Sequence, residues 1–263
     1  MIRPKICVTL SGCTVDEVLA DAARASAVGA DICEVRLDKL WVVKEVVEYD
    51  SDNSDDARSP PQYEYTPQTF ESVNLEESLN AFKGGIDLPV IMTCRPTDQG
   101  GHFPGTEDQR IEVLRSAIDS KVSWVDIEAD IDSDTRSELI SLAKDNTSVV
   151  SSLHLEADPP SSEEIVEKVE SMNDTGDIIK ICYKASGKNS GLRLFEAAWS
   201  LRDSDLKTAI MGMGPGGDWT RIHAPLLGQD IVYTTMESGP HLSSQGRINA
   251  SDLLMAWELL EYE

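Results

Sequence analysis

Apolar, β-prone runs alternate with helix-patterned segments along almost the whole of this 263-residue chain, and few architectures accommodate that rhythm. The runs are KICVTLSG (5–12), DICEVRLD (31–38), LPVIMTCR (88–95), WVDIEAD (124–130), SVVSSLHLE (148–156), DIIKICYKA (177–185), KTAIMGMG (207–214) and DIVYTTM (230–236). They are nearly continuous in apolar residues, as strands covered on both faces are. Helical spacing marks 14–29, 106–120, 133–145, 160–172, 191–202 and 249–263, with shorter helices expected near 75–83 and within 218–228. Ser133 is the expected cap of its helix. Eight βα units in one chain predict an α/β fold, a closed (β/α)8 TIM barrel forming a single domain over 1–263. A doubly wound open sheet is the alternative.

One stretch breaks the rhythm. Residues 41–75 enclose YDSDNSDDARSPPQYEYTPQTFESVN (49–74), acidic and rich in serine and proline. Such a composition cannot build a core. It predicts a surface insertion after the second strand, with a role as a lid the less favoured reading.

Charge narrows the partners. Forty-seven acidic residues oppose 23 basic ones, a formal net charge of −24. That surface repels nucleic acid and anionic membranes. Only 11 of the cations are lysines, and acid excess with few lysines fits a protein adapted to concentrated salt, where counterions screen self-repulsion. No apolar run has the length of a membrane span, and MIRPKICVTLSG reads as the start of a strand rather than a signal peptide. Of five cysteines, Cys7, Cys33, Cys94 and Cys182 lie in strand-like runs without CxxC spacing. They are expected to be buried free thiols in a reducing cytoplasm.

In a (β/α)8 barrel the chemistry sits at the C-terminal strand ends, and those ends are polar here. Glu34, Arg36 and Asp38 share one face of the second strand, Thr93 and Arg95 one face of the third. Asp126 and Glu128, His154, and Lys180 follow on strands four, five and six. Arg221 lies beyond GMGPGG, and Ser243 and Arg247 beyond the last strand. Each has a structural explanation alone: Lys180 could simply pair with Asp126 or Glu128. As a set they fall on one end of the barrel. The four histidines show no metal-binding spacing, so no metal is expected. GMGPGG lacks the Lys-Ser/Thr of a phosphate loop. A lysine in an apolar barrel, one strand from a histidine, fits amine chemistry. Desolvation and nearby arginines would favour the free amine, which condenses with a ketone to a Schiff base that acidifies the adjacent carbon. The arginines imply an anionic substrate, most simply a carboxylate.

The chain resembles the type I 3-dehydroquinate dehydratases of the shikimate pathway over nearly its whole length except about 41–75. The resemblance rests on ICVTLSG, GADICEVRLD, IMTCRPTDQGG, WVDIEAD, SSLHL, DIIKI, MGMGPGGDWTRI and SSQGRI in that order. It implies a (β/α)8 barrel that needs no metal or diffusible cofactor, and often a homodimer. By position Lys180 matches the Schiff-base lysine and His154 the general acid/base. Glu34, Arg36 and Arg95 match residues around the substrate hydroxyls, Arg221 and Ser243 those on the ring carboxylate. Thr9 falls where the family often has serine.

Two positions depart from that pattern. Gln99 replaces a glutamate that pairs with the histidine, and Arg247 replaces a substrate-binding glutamine. Together they would make the site about two charge units more positive. The expectation is that Gln99 orients His154 while lowering its pKa, and that Arg247 adds a second cation for the substrate carboxylate. A Schiff-base aldolase on the same barrel and a non-catalytic carboxylate-binding paralogue remain open on these residues. Lys184, two alternations beyond Lys180 on the same face, is the competing amine.

Overall fold

The computed structural model describes residues 3–47 and 63–262. Eight parallel strands form the barrel: β1 (Lys5–Thr9), β2 (Ile32–Arg36), β5 (Val90–Thr93), β6 (Trp124–Glu128), β7 (Ser148–Leu155), β8 (Ile178–Lys184), β9 (Thr208–Met213) and β10 (Ile231–Thr234). Their hydrogen-bonded order is β10-β1-β2-β5-β6-β7-β8-β9. Helices α1 (Val15–Ala27), α2 (Leu75–Gly85), α3 (Glu107–Asp119), α4 (Ser133–Ala143), α5 (Ser162–Glu170), α6 (Lys188–Leu201) and α9 (Ala250–Leu259) surround them, and α7 (Trp219–Ile222) and α8 (His241–Ser244) are single turns.

Residue alternation fixes the layers. Ile6, Val8, Cys33, Val35, Met92, Val125 and Ile127 pack outward against the helices, as do Ile179, Ile181 and Ile210. Their alternates Cys7, Ile32, Ile91, Val150, Ile178, Ile231 and Tyr233 fill the barrel interior. The run around Lys180 therefore reads as apolar because its odd positions face helices, while Ile178, Lys180 and Cys182 share the inward face. The barrel is nearly closed. Between β9 and β10 side chains complete the seam: the Asp230 N–H donates to the Thr208 carbonyl (2.9 Å) and the Thr208 N–H to the Asp230 carboxylate (2.9 Å). The Ile210 N–H donates to Gln229 Oε1 at 2.7 Å.

Helix starts follow side-chain chemistry. Thr14 with Glu17, Thr106 with Gln109 and Ser161 with Glu164 make reciprocal capping boxes on α1, α3 and α5. The expected cap of α4 is displaced by one residue. Asp132 caps it, accepting from the Thr135 N–H, and Ser133 is the first helical residue; an aspartate cap also meets the positive end of the helix dipole.

The irregular region is more ordered at its ends than its composition predicts. β3 (Val42–Val46) and β4 (Tyr63–Pro67) pair antiparallel. Trp41 is fully buried, stacks on Phe70 at 5.6 Å, meets Phe103 edge-on at 5.1 Å, and donates its indole N–H to the Phe70 carbonyl. These aromatic contacts anchor a mostly exposed ribbon. The acidic centre, 48–62, lies outside the described residues.

Candidate active site

The inward residues above the apolar layer form an ion network. Lys180, on β8, is 4% exposed. Its Nζ lies 3.4 Å from Glu34 Oε1 and 3.3 Å from Asp126 Oδ2, and 3.8 Å from the centre of the Tyr233 ring. Glu34 also accepts from the Thr9 hydroxyl (2.6 Å) and the Thr93 hydroxyl (3.0 Å). Burial pushes the Glu34 carboxyl up, but Lys180, Arg36 and the Thr9 hydroxyl together bring it below the ordinary glutamate value.

Arg95 ties β6 and β7 together beside the amine. It donates to Glu128 (2.7 Å), Asp126 (2.8 Å) and the Ser152 hydroxyl (2.9 Å). Ser152 in turn donates to Asp126. Glu128 is held from its other side by Arg110, reaching in from α3 at 2.5 Å. Burial pushes Glu128 up while both guanidiniums oppose it, and the carboxyl ends above its ordinary value. Lys180, Arg95 and Arg110 thus meet Glu34, Asp126 and Glu128, and Arg110 also holds Glu107 on its own helix at 2.7–2.8 Å. Two of those carboxylates, Glu34 and Asp126, flank the Lys180 amine.

Above the network opens a cavity of about 440 Å3, lined by Thr9, Glu34, Arg36, Arg95, Gln99, His154, Lys180, Arg221 and Arg247 among others. Arg36 holds Asp38 through two bonds of 2.8 Å. The imidazole of His154 is held well below the usual histidine range by burial and by Arg95, Lys180 and Arg36. Its Nδ1 is buried without a partner.

Arg221 is buried, and its guanidinium is gripped by backbone. Nε donates to the Tyr233 carbonyl, and Nη1 to the carbonyls of Gly212, Gly217 and Gly246 at 2.6–2.7 Å. This is what the glycine-rich loop does here. Gly246 has φ +70°, and a Cβ there would meet the Gly214 and Gly212 carbonyls at 2.7 and 2.8 Å, so glycine lets two loops close on one cation. Burial lowers the Arg221 pKa from its usual value. Among the described residues no carboxylate lies within 4 Å of this guanidinium, which leaves Nη2 for an anion from outside the chain.

The structure treats four expected residues differently from their sequence reading. Gln99 turns its amide nitrogen to both carboxylate oxygens of Asp130 (3.0 and 2.9 Å) and makes no hydrogen bond to His154. Arg247 is held by Glu237 through two bonds of 3.1 Å, with further bonds to Thr235 and Gln245; it is not a free second cation. Ser243 donates to Asp218 at 2.9 Å and is not among the cavity-lining residues. Lys184 is exposed at the rim, in an ion pair with Glu156. The site also contains residues the sequence reading left unassigned. Ser152 and Tyr233 follow from two-residue alternation with His154 and Ile231. Arg110 carries no such signal, because it comes from a helix.

Comparison with known proteins decides the lineage. Residues 6–262 match the family model for Type I 3-dehydroquinase. The chain belongs to that family. Among similar proteins, the 3-dehydroquinate dehydratase of Methanococcoides burtonii is 29% identical over 262 residues, covering 98% of this chain and 95% of the relative. That of Methanothermobacter thermautotrophicus is 29% identical over 238 residues, covering 90% of each. The fold matches the solved type I 3-dehydroquinate dehydratase of Clostridium difficile with a TM-score of 0.78 at 23% identity, covering 98% of this chain and 92% of that one. The described residues therefore carry the (β/α)8 architecture of the type I 3-dehydroquinate dehydratase structures.

Proposed function

We propose that this type I 3-dehydroquinase dehydrates 3-dehydroquinate to 3-dehydroshikimate through a Schiff base on Lys180, with His154 as general acid/base. The observation that carries the reading is Lys180, buried in the barrel between Glu34 and Asp126 at the floor of a cavity that His154 also lines. The ammonium first gives up a proton. His154, kept neutral by burial and by the cations Arg95, Lys180 and Arg36, is the available acceptor in that cavity.

The free amine adds to the substrate ketone, and His154 hands the proton it took to the carbinolamine hydroxyl, which leaves as water, giving a protonated imine and a neutral imidazole. That iminium keeps the positive charge between Glu34 and Asp126, so the floor keeps its charge through the step. The iminium draws electrons from the adjacent carbon. His154 removes a proton there to give the enamine, then returns a proton to the departing hydroxyl, which leaves as water. Hydrolysis of the remaining imine frees the enone and restores the lysine. Arg221, with Nη2 unused by the backbone, receives the substrate carboxylate.

The acid excess of the surface, with net charge −24, supports function in a saline cytoplasm. Incubation with 3-dehydroquinate and borohydride, followed by mass spectrometry, tests the scheme. The expected result is a reduced adduct on Lys180 and, without borohydride, growth of an ultraviolet-absorbing enone. An adduct on Lys184, or none on any lysine, overturns it.

A further inference from the structure

One aromatic ring stands beside the ion network, and its face meets the amine. The buried residues that fill the barrel interior are otherwise aliphatic or carry sulfur, and Tyr233 is the one ring among them. It lies on β10, is buried, and lines the cavity. Nζ of Lys180 sits 3.8 Å from the centre of its ring. The Tyr233 hydroxyl is buried and meets no partner among the described residues, so nothing in the chain holds this position for a hydrogen bond. Burial, with Cys7, Glu34 and Asp126, pushes the phenol well above its ordinary value. The ring is therefore neutral, and its face is the negative end of its quadrupole.

An ammonium has three N–H groups, and here the nitrogen has three neighbours: Glu34 at 3.4 Å, Asp126 at 3.3 Å and the ring. A protonated imine keeps only one N–H, so it cannot donate to both carboxylates. Attraction to a ring face needs charge rather than a donor direction, and it survives that change. We propose that Tyr233 is a further catalytic residue: its ring face, laid against the reacting nitrogen, keeps the Lys180 imine protonated and so keeps it an electron sink. The proposal rests on the Schiff-base reading above. The ring makes and breaks no bond. The proton stays on nitrogen while the C–H electron pair flows toward the C=N bond.

The other groups around that nitrogen behave differently in alkaline solution. Cys7 on β1 and Cys182 on β8 are thiols that burial pushes up. Glu34 on β2 and Asp126 on β6 are carboxyls that burial raises and their cations bring back below the ordinary value. His154 on β7 is held down by burial and by Arg95, Lys180 and Arg36. Arg36 and Arg95 keep their charge against burial through Asp38, and through Asp126 and Glu128. From β9 the register partner is Ala209, which does not titrate. A basic limb of kcat, which reports groups in the substrate complex, is thus read at the imine nitrogen.

The test changes the ring's electron density at nearly constant shape. Tyr233→Phe keeps the face and drops the hydroxyl, and a trifluorinated phenylalanine at the same position drains the face. Between those two rings the basic limb of kcat should move down by about one pH unit, a loss of about tenfold confined to the basic side. Tyr233→Phe should leave the limb close to its native position. A limb that stays put along the series makes the ring a filler and overturns the proposal. A limb that moves as far with Tyr233→Phe as with the fluorinated ring assigns the role to the hydroxyl and overturns it too. A second arm needs no substrate. In urea unfolding the fluorinated ring should lower the midpoint relative to Tyr233→Phe with Lys180 present and not with Lys180→Met; equal shifts in both backgrounds overturn the contact. If borohydride leaves no adduct on Lys180 in the native protein while the urea series behaves as expected, the Schiff-base reading fails and the imine role with it, and the ring stands as a support of the ammonium alone.

Discussion

Replacing Lys180 by methionine should destabilise the protein in a way that depends on pH. The amine sits 3.4 Å from Glu34 and 3.3 Å from Asp126. At an effective dielectric of about 20, each contact is worth roughly 5 kcal/mol before desolvation, and desolvation of the ammonium removes several kcal/mol of that. Breaking a buried pair by deleting one partner costs about 3–5 kcal/mol. The low end applies here. The contacts are long, Glu34 keeps the Thr9 and Thr93 hydroxyls, and Asp126 keeps Arg95 and Ser152. About 3 kcal/mol is expected near neutrality.

The sign of the pH dependence follows from Glu34. In the native protein its carboxyl titrates below the ordinary value, so it contributes stability above its unfolded pKa that is lost as pH falls through the folded one. Without the amine, burial and Asp126 are opposed only by Arg36 and the Thr9 hydroxyl, so this carboxyl moves up from its native position and the variant loses less stability than the native protein as pH falls. Asp126 and His154, both held down in part by Lys180, shift in the same direction. The gap between native and Lys180→Met should therefore narrow from about pH 7 to about pH 4.5. Urea unfolding followed by tryptophan fluorescence at one fixed, high KCl concentration measures it. Adding Glu34→Gln to Lys180→Met should recover at least about 1 kcal/mol. A gap that is constant with pH, or a double variant no more stable than the single, would refute the ion-network account.

Two further outcomes follow. Arg110→Met removes the guanidinium that holds Glu128 from the α3 side and should cost about 3–5 kcal/mol, lowering Tm by roughly 10 °C; a change within about 1 °C would show that Arg95 alone satisfies Glu128. The urea midpoint of the native protein should rise steadily with KCl, because 24 excess negative charges repel one another least when screened; equal midpoints with and without KCl would remove the saline reading.

The barrel was legible because its strands are covered on both faces, so each appears as a dense apolar run whatever its neighbours do. β3 and β4 were not. Four of the five residues of β4 are exposed and its last is proline, a pattern indistinguishable from loop, and the ribbon is secured by Trp41, whose partners Phe70 and Phe103 lie 29 and 62 residues away. The β9–β10 seam was equally unreadable, since Asp230 and Gln229 look like turn residues until their side chains are seen completing the ladder. In the site, alternation predicts which side chains point inward but not which of them meet. Asp126 rather than Glu128 takes the amine because Arg110, arriving from a helix, claims Glu128 first.

The two departures from the family pattern show the same limit more sharply. From sequence, Gln99 in place of glutamate and Arg247 in place of glutamine add positive charge to the site. In the structure each faces an acid, Asp130 at 2.9–3.0 Å and Glu237 at 3.1 Å. Part of the charge gained at each substituted position is thus offset by an acidic partner further out. Forty-seven acids in 263 residues hide two such compensating partners completely, because an acidic residue carries no information in a chain where nearly every loop has one. Only proximity separates the carboxylates that tune the site from those that keep the surface solvated, and proximity is set by the loops after β5, β6 and β10 rather than by any run of residues.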